Sequence, residues 1–308
     1  MASDAVLLVT LGGPRSAEEI RPFLASVTRG RPIPPERIEE VVRHYEAVGG
    51  ASPILALTVR QAEALAAALA RLGTPRPVYV GMRNWHPFLS EVLARMAEDG
   101  VTRVVAVVLA AFRSEVGLRR TQEAVAEAAS ALGSQMPVIE PVAPWAGHPL
   151  FAKAVAERVR EALGALPEGR RAAARLLFTA HSIPAASGDA DVYQADFRQA
   201  VDAVCASLGV RDRTLAYQSR SGNPREPWLG PDVGEALMDL AGRGAKEVLV
   251  IPIGFVSDHV EVLYDLDHEA RGVAERLGMG FSRAKTVGDH PAFIGMLAEL
   301  VGRVLAAG

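Results

Sequence analysis

The run Arg175-Leu176-Leu177-Phe178-Thr179-Ala180 carries the clearest information about the fold, because it is almost continuously apolar and ends at His181-Ser182-Ile183-Pro184. Such a run is typical of a parallel strand that is covered on both faces. Other segments are short and rich in strand-forming residues in the same way. They are Ala5–Leu11, Pro77–Gly81, Arg103–Phe112, Met136–Glu140, Thr214–Gln218 and Glu247–Gly254.

Between these strands lie Ala- and Leu-rich segments whose apolar residues recur every three or four positions, as they do in amphipathic helices. Examples are Pro53–Leu72, Pro87–Glu98, Glu115–Leu132, Ala190–Leu208 and Asp232–Leu240. Strands that alternate with helices predict an α/β fold with doubly wound parallel sheets.

The two halves of the sequence repeat the same order of elements. Ala5-Val6-Leu7-Leu8-Val9-Thr10 resembles Ala174-Arg175-Leu176-Leu177-Phe178-Thr179. We therefore expect two Rossmann-like lobes, residues 1–145 and 146–308, although any two parallel α/β halves share part of this pattern. Ligands of such sheets bind at the carboxyl ends of the strands, so a cleft between the lobes is the expected site.

Composition excludes several classes of protein. The chain has 308 residues, 49% of them hydrophobic, with a net charge of −3 and one cysteine, Cys205. One thiol excludes an internal disulfide, and a net negative charge gives no support to a broad nucleic-acid-binding face. Met1–Thr10 lacks the basic start of a signal peptide, and Val104–Phe112 is too short to span a bilayer. We expect a cytoplasmic protein without a transmembrane segment.

A histidine stands at the carboxyl end of one predicted strand. His181 follows the strand directly, at the edge where ligands of parallel sheets bind. Imidazole accepts or shuttles protons near neutral pH and also binds metals. A buried structural histidine is the alternative interpretation.

Three carboxylates recur four residues apart after another strand. Glu261, Asp265 and Glu269 line one face of the helix for which Ser257 or Asp258 is the predicted N-cap. Like charges at this spacing weaken an isolated helix. A ladder of carboxylates beside a cleft can pass a hard divalent cation inward from solvent. An ordinary solvated acidic face is the alternative.

Other loops are rich in hydrogen-bond donors. Gln218–Pro224 follows a strand and precedes a helix, so it is suited either to frame a ligand or to serve as a structural crossover. Gly12-Gly13-Pro14 follows the first strand but is not a GxGxxG fingerprint, and no GxxxxGK[ST] occurs. Dinucleotide and ATP binding therefore lack their usual signals. Arg29-Gly30-Arg31 is a basic cluster of the kind that pairs with carboxylates.

Taken together, these motifs resemble the ferrochelatase family over nearly the whole chain, from about Ala5 to Leu305. The matching stretches, with the most specific first, are Pro252–Asp265, Phe178–Pro184, Gln218–Asp232, Leu11–Pro14, Gly49–Ile54 and Gly81–Pro87. The resemblance implies two Rossmann-like lobes with a porphyrin held between them and Fe²⁺ as the metal that is inserted.

The resemblance also implies roles for particular residues. His181 matches the family's essential histidine and Glu261 its partner glutamate, whereas Asp265 and Glu269 match an acidic track for metal entry. His181 and Glu261 are expected to accept pyrrole protons or to bind the metal transiently, and the sequence leaves the division of these roles open. The residues expected to bind the porphyrin are Leu11, Arg29, Arg31, Ser52, Arg83, Asn84, Arg113, Ser114, Gln218 and Ser219.

The chain also departs from some members of the family. Some carry a tyrosine where this chain has Leu11, so this position cannot supply an oxygen ligand to iron. Members with an iron–sulfur cluster have several cysteines, so a chain with Cys205 alone is expected to have no cluster. We expect no permanent cofactor, with Fe²⁺ as a substrate.

Three segments are most similar to the actinobacterial-type branch, which acts on coproporphyrin III. They are Thr28–Arg31, Arg83–Pro87 and Gln218–Gly222. Phe112–Val116 departs from that branch, so protoporphyrin IX stays open as the alternative substrate. A chelatase for another metal or ring, such as cobalt and sirohydrochlorin, and a porphyrin or haem carrier without turnover are further alternatives. The expected partners are a porphyrin and ferrous iron, and the expected state is a monomer.

Overall fold

The computed structural model describes residues 3–29, 33–221 and 226–307, which form two compact units. Unit 1 comprises Met1–Ala110, Glu115–Pro144 and Asp289–Gly308, and unit 2 comprises Ala111–Ser114 and Trp145–Gly288. Among the helices of the described residues, none has both the length and the apolar character that crossing a membrane requires.

The described part of unit 1 is built on a parallel sheet with the strand order β2-β1-β3-β4. The strands are β1 (Ser3–Thr10), β2 (Val78–Met82), β3 (Val101–Val108) and β4 (Val138–Pro141). The helices are α1 (Ile20–Val27), α2 (Pro35–Ala47), α3 (Ile54–Arg71), α4 (Leu89–Glu98) and α5 (Arg120–Ser130), with a 3₁₀ turn at Ala17–Glu19 and a π-helical segment at Glu115–Arg119.

The described part of unit 2 repeats this plan with the strand order β6-β5-β7-β8, again all parallel. The strands are β5 (Ala174–His181), β6 (Thr214–Gln218), β7 (Glu247–Ile251) and β8 (Gly280–Arg283). The helices are α6 (Pro149–Gly164), α7 (Glu168–Ala173), α8 (Ala190–Leu208), α9 (Val233–Gly242), α10 (Val260–Tyr264) and α11 (Arg271–Arg276), with a π-helical segment at Asp265–Ala270.

The central strands form the core of each unit, as their apolar sequences predict. Residues 5–9 of β1 are fully buried, and so are Leu177 and Phe178 of β5. Each of these strands has a hydrogen-bonded neighbour on both sides, and helices supply the apolar contacts above and below. The predicted α/β class, with two parallel-sheet units of the same design, is confirmed.

The division into units differs from the predicted boundary between residues 145 and 146. The last helix, α12 (Pro291–Ala307), belongs to unit 1, because it packs against α3. Arg103 of β3 donates a hydrogen bond to the carbonyl of Val304 at 2.9 Å. In addition, Ala111–Ser114 belongs to unit 2. A chain that returns to its first unit leaves no mark in local sequence patterns, which explains the difference.

The two units also repeat individual hydrogen bonds after their second strands in chain order. The amide of Met82 donates to the carbonyl of Pro87 at 2.8 Å in unit 1, and the amide of Tyr217 donates to the carbonyl of Pro231 at 2.9 Å in unit 2. Both prolines follow a cis peptide bond. Each contact closes the loop that leads into the next helix.

A second pair of hydrogen bonds matches in the same way. Leu109 donates to the carbonyl of Val9 at 2.8 Å, and Gly254 donates to the carbonyl of Thr179 at 3.0 Å. In both units the donor lies just beyond the third strand and the acceptor lies near the end of the first. These contacts place β1 and β5 in residue-by-residue correspondence, with Val9 equivalent to Thr179.

Candidate active site

The carboxyl ends of β5 and β6 lie side by side in unit 2, because His181 pairs with Gln218 in the parallel register. The loop after β7 reaches the same edge of the sheet, where Gly254 donates to the carbonyl of Thr179. A Cβ at Gly254 would lie 2.7 Å from Cα of Ala180, so only glycine allows this close approach. The sheet thus brings His181 and the loop after β7 together.

His181 is half-buried, and hydrogen bonds fix both its backbone and its ring. The hydroxyl of Tyr193 donates to the carbonyl of His181 at 2.8 Å. Nδ1 of the ring is within hydrogen-bond distance of the carbonyl oxygen of Ser182. Because a carbonyl oxygen only accepts, Nδ1 carries the proton in this arrangement. The lone pair of the neutral ring is therefore on Nε2.

Glu261 faces this lone pair. Nε2 of His181 lies 3.8 Å from Oε1 of Glu261, so the two residues singled out from distant parts of the sequence lie together. The other carboxylate oxygen, Oε2, lies 3.4 Å from Nε2 of His259. The main-chain carbonyl of Glu261 accepts a hydrogen bond from the side-chain amide of Gln218 at 2.8 Å. The end of β6 therefore fixes the first turn of α10, and the carboxylate lies between two imidazoles.

The contact between His181 and Glu261 shifts both pKa values. Burial alone lowers the pKa of His181, but the nearby Glu261 carboxylate outweighs burial, and the pKa is raised above 6.5. Burial likewise opposes ionisation of Glu261, yet His181 and then His259 hold the pKa of this carboxyl well below its usual range. Glu261 is therefore an anion at neutral pH, and its charge favours the protonated form of His181.

The acidic helix is not a uniform α-helix. After α10 the backbone continues as the π-helical segment Asp265–Ala270. From Glu261 to Asp265 the chain advances four residues, which is slightly more than one turn of an α-helix. From Asp265 to Glu269 it again advances four residues, which is slightly less than one turn of the wider π-helix. The two deviations oppose each other, so Glu261, Asp265 and Glu269 stay close to one line. Along this line Glu261 and Asp265 are half-buried and Glu269 is exposed.

Asp265 is the unusual carboxyl of this line. It forms a hydrogen bond with the hydroxyl of Ser219, whose backbone has a φ of 61°, in the left-handed region that non-glycine residues rarely adopt. Burial raises the pKa of Asp265 to about 7; the bond from Ser219 opposes this, and the charges of Glu261 and Glu269 add to it. The side chain therefore gains and loses a proton near neutral pH.

A buried arginine fixes the surroundings of this helix. Arg283, at the end of β8, is only 11% exposed at its side chain, and its guanidinium lies 3.2 Å from Asp258 and 2.8 Å from Asp267. Asp258 belongs to the loop after β7, and Asp267 belongs to the π-helical segment. Arg283 therefore joins the two backbone segments that flank Glu261.

In unit 1, several residues predicted to bind the porphyrin come together at the carboxyl ends of β1 and β2. Asn84 donates its amide to the carbonyl of Leu11 at 3.0 Å, and Leu11 keeps 38% of its surface exposed. Ser52 donates its amide to the loop that follows Leu11 at 2.7 Å. The guanidinium of Arg83 donates to the carbonyl of Val116 at 2.8 Å. These hydrogen bonds bring Leu11, Ser52 and Asn84 to the same end of the sheet, where the Leu11 side chain is partly exposed.

The remaining predicted residues are placed differently. Arg113 donates from its backbone amide and its guanidinium to Asp196, at 2.9, 2.9 and 2.6 Å, so a buried carboxylate neutralises its charge. Ser114, next in the chain, is half-buried. Arg29 is exposed just after α1. Arg31 lies outside the described residues.

Four residues that contact the predicted site residues or the segments that carry them are not predicted from the sequence. They are His259, Tyr193, Asp196 and Arg283. Of these, only His259 had a signal in the sequence, because it lies two residues before Glu261 within a segment already identified. Its extended backbone directs the chain so that its ring meets the Glu261 carboxylate, which a helical pattern would not predict.

His181 and Glu261 offer a metal ion one imidazole nitrogen and one carboxylate. Across residues 3–29, 33–221 and 226–307, no group of three or more His, Cys, Asp or Glu side chains is arranged so that it could hold a metal ion. The acidic line leads to this pair from the surface.

Comparison with known proteins identifies the family. The family model described as Ferrochelatase matches residues 3–305. The coproporphyrin III ferrochelatase of Nocardia farcinica is 44% identical over 98% of this chain and 88% of its own length. The coproporphyrin III ferrochelatase of Streptomyces griseus is 42% identical over 97% of this chain and 84% of its own length.

A solved structure shows the same fold. SirB from Bacillus subtilis with Fe³⁺ superposes with a TM-score of 0.60 at 12% identity, over 98% of this chain and 95% of that one. At this identity the likeness concerns the fold alone. The match to the family model covers both units and extends over His181 and Glu261, and the chain belongs to the ferrochelatase family.

Proposed function

We propose that this protein inserts Fe²⁺ into coproporphyrin III and releases coproheme, as a lyase of haem biosynthesis. The observation that carries the proposal is the contact between Nε2 of His181 and the carboxylate of Glu261, with Nδ1 of the ring directed at Ser182. The relatives named above, which this chain matches over nearly its full length, are coproporphyrin III ferrochelatases. Porphyrin and ferrous iron are the proposed substrates.

Proton transfer is the task proposed for His181. Insertion replaces two pyrrole N–H protons with one Fe²⁺, so each turnover releases two protons. His181 accepts them one at a time at Nε2, because Nδ1 is already a donor, and it releases the first proton to solvent before it accepts the second. Glu261 stays ionised and stabilises the imidazolium that forms. An approaching Fe²⁺ repels the imidazolium, so metal arrival and proton release favour each other.

Metal delivery is the task proposed for the acidic line. Glu269 is exposed and Asp265 is half-buried, so a cation arriving from solvent meets Glu269 first and Asp265 second. Both side chains offer oxygen ligands to a divalent cation. Because the pKa of Asp265 is raised to about 7, this carboxyl releases a proton when a cation binds. Glu261 then serves as a transient ligand before the ring nitrogens take the metal. His181 does so only while Nε2 is unprotonated, because its single lone pair cannot hold the metal and a proton together.

Porphyrin binding is proposed for the predicted contact residues. Leu11 supplies an exposed apolar contact for the ring, with Ser52, Arg83 and Asn84 beside it. Arg29 is an exposed cation suited to a propionate. Also proposed as contacts are Arg31, Ser114, Gln218 and Ser219. Of these, Gln218 is the least suited to meet the ring directly, because it is 2% exposed and its side-chain amide donates to the carbonyl of Glu261. The pairing of Arg113 with Asp196 makes it the least suited of the proposed cations, because its charge is already matched.

The proposal includes a monomeric state, a cytoplasmic location and no permanent cofactor. Cys205 is the single cysteine of the chain and is buried, so protein cysteines alone cannot hold an iron–sulfur cluster. Light scattering and metal analysis of the purified protein test two of these points. A dimeric mass or bound iron and sulfide in stoichiometric amounts would contradict them.

The decisive experiment is anaerobic turnover. Protein and Fe²⁺ are mixed with coproporphyrin III or with protoporphyrin IX, and visible spectra are recorded over time. We expect the four-band free-base spectrum of coproporphyrin III to collapse to two bands, with kcat/KM at least about tenfold above that for protoporphyrin IX.

The other candidate functions give different spectra. A carrier shifts the four bands without collapsing them. A protoporphyrin enzyme reverses the preference between the two rings. A chelatase for another metal turns over with Co²⁺ in place of Fe²⁺, or with sirohydrochlorin in place of either porphyrin. Any of these results in place of coproporphyrin turnover would overturn the proposal.

A further inference from the structure

Glu19 accepts hydrogen bonds from two different segments of unit 1. On one side the indole N–H of Trp85 donates to Oε2 at 2.8 Å. On the other side Arg15 donates its backbone amide to Oε2 at 2.8 Å and its Nε to Oε1 at 3.0 Å. Arg15 lies in the loop after β1, and Trp85 lies in the loop after β2. One half-buried carboxylate therefore ties the two loops together.

The backbone just before Arg15 lies close to the loop that carries Trp85. Gly12 has a φ of +86°, and a Cβ there would lie 3.3 Å from both the backbone nitrogen and the Cβ of Trp85. The carbonyl of Leu11 accepts the amide of Asn84 at 3.0 Å. Leu11 nevertheless leaves 38% of its surface exposed. The backbone of Leu11 is therefore held by the loop after β2, while part of its side chain is exposed and accessible to a ligand.

The indole that donates to Glu19 is itself fixed. The ring of Trp85 packs edge-on against Phe23, with centroids 6.0 Å apart, and contacts Phe88 at 6.1 Å. The pKa of Glu19 is lowered to about 2, chiefly by its hydrogen bond with Arg15, so this acceptor is ionised at any working pH. Charge-assisted hydrogen bonds of this kind are stronger than neutral ones.

We infer that Glu19 is a positioning residue for tetrapyrrole binding: by joining Arg15 to Trp85, it holds Leu11 where the leucine side chain contacts the macrocycle. The inference rests on the proposed function. Glu19 does not touch the substrate, and its effect passes through the loop that carries Leu11. A loop that is not tied must be ordered when the ligand binds, and this cost weakens affinity. Proton transfer at His181 is unaffected.

The test uses the full-length protein and three variants: Glu19→Ala, Trp85→Phe and the double variant. The control is Glu39→Ala, which breaks the exposed Arg21–Glu39 pair of the same unit. Dissociation constants for coproporphyrin III come from absorbance titration without metal. KM and kcat come from the anaerobic assay, and urea unfolding reports stability.

We expect the dissociation constant and KM to rise about tenfold in Glu19→Ala and about threefold in Trp85→Phe, with kcat within about twofold of wild type. The double variant should not exceed Glu19→Ala alone, because both changes remove one shared contact. Glu39→Ala should leave porphyrin affinity unchanged.

Other outcomes overturn the inference. Additive effects in the double variant would show that Glu19 and Trp85 act separately. A loss of stability in Glu19→Ala with unchanged porphyrin affinity, or an equal loss of affinity in Glu39→Ala, would show a merely structural role. Failure of the proposed function appears separately, as a wild-type protein that binds the porphyrin without inserting iron, and the titrations then still decide the role of Glu19.

Discussion

Replacing Gly254 with alanine tests how the loop after β7 supports the site. In the native structure Gly254 lies against the end of β5, where its amide donates to the carbonyl of Thr179 at 3.0 Å. An added Cβ would lie 2.7 Å from Cα and 2.8 Å from Cβ of Ala180. Carbon atoms prefer separations of about 3.5–4.0 Å, so the loop must move away by about 1 Å.

Two costs follow from this movement. Overpacking of this kind costs about 1–3 kcal/mol, and a backbone hydrogen bond stretched by about 1 Å loses its net contribution of about 1 kcal/mol. We expect the free energy of unfolding to fall by about 2–4 kcal/mol, which for a chain of this length lowers Tm by about 3–6 °C. The same displacement is transmitted along the loop toward Glu261, and misplacement by about 1 Å is expected to lower kcat by about 10–100-fold.

The assay compares Gly254→Ala with Gly164→Ala, which makes the same chemical change at the last residue of α6 in the same unit. A Cβ at Gly164 meets nothing within 4 Å. Alanine there should raise stability by about 0.4–1 kcal/mol and leave kcat unchanged. Thermal unfolding followed by circular dichroism gives Tm, and the anaerobic insertion assay gives kcat.

Two results would refute the reasoning. If Gly254→Ala unfolds at the wild-type temperature, the approach of the loop to Ala180 does not limit the structure. If stability falls as expected while kcat is unchanged, the loop does not position Glu261 for the reaction.

Further predictions concern His181, Asp265 and Arg283. His181→Ala should lower kcat by about 10²–10⁴-fold while coproporphyrin III still binds in absorbance titrations; near-normal turnover would contradict its role. In the wild type, kcat should rise as pH rises through the raised pKa of His181, because only the deprotonated ring accepts a proton, and a pH profile without this limb would contradict it. Asp265→Asn should raise KM for Fe²⁺ with porphyrin affinity unchanged. The pKa of Asp265 is raised to about 7 in the folded protein, so between about pH 4 and about pH 7 the unfolded chain releases this proton while the folded one keeps it. The wild type should therefore lose folding stability over this range, and urea unfolding of Asp265→Asn should not show that loss. Arg283→Leu removes the cation that pairs with Asp258 and leaves Asp267 only the more distant Arg271, 3.9 Å away, so the free energy of unfolding should fall by about 2–4 kcal/mol in urea; an unchanged midpoint would show that the ion pairs of Arg283 add nothing.

The sheets could be predicted because their central strands are buried on both faces. Leu7 and Phe178 are fully buried, and burial of this kind produces the apolar runs that the sequence shows. The edge strand β8 was missed, because Gly280-Phe281-Ser282-Arg283 is short and polar and has a neighbour on one side only. Its strand character depends on pairing with β7, which is a tertiary effect.

The sequence predicts where helical segments lie, but it does not predict which kind of helix each segment forms. The pattern of Glu115–Leu132 predicts one helix, whereas the structure has a π-helical segment at Glu115–Arg119 followed by α5. Apolar spacing of three or four residues does not distinguish these forms. The same limit applies to Asp265–Ala270, where the acidic spacing was read as a uniform α-helix.

At the site, the strand-end rule and the resemblance together identified His181 and Glu261, which lie 3.8 Å apart at their closest nitrogen and oxygen. The sequence could not show that Asp196 would neutralise Arg113, since the two residues meet only in the folded chain. For the same reason the sequence predicts Arg113 as a porphyrin-binding residue without showing that its charge is already paired. Contacts between distant residues were the main class of information that local patterns did not supply.

The correspondence between β1 and β5 has a chemical consequence. If Val9 is equivalent to Thr179, then Leu11 stands where His181 stands in the other unit. The same strand end therefore carries an apolar side chain in unit 1 and an imidazole in unit 2, and only the imidazole can accept a proton or bind a metal ion. Position 11 is accordingly a starting point for engineering metal preference, because a ligating residue can be introduced there while the main-chain bond to Asn84 is retained.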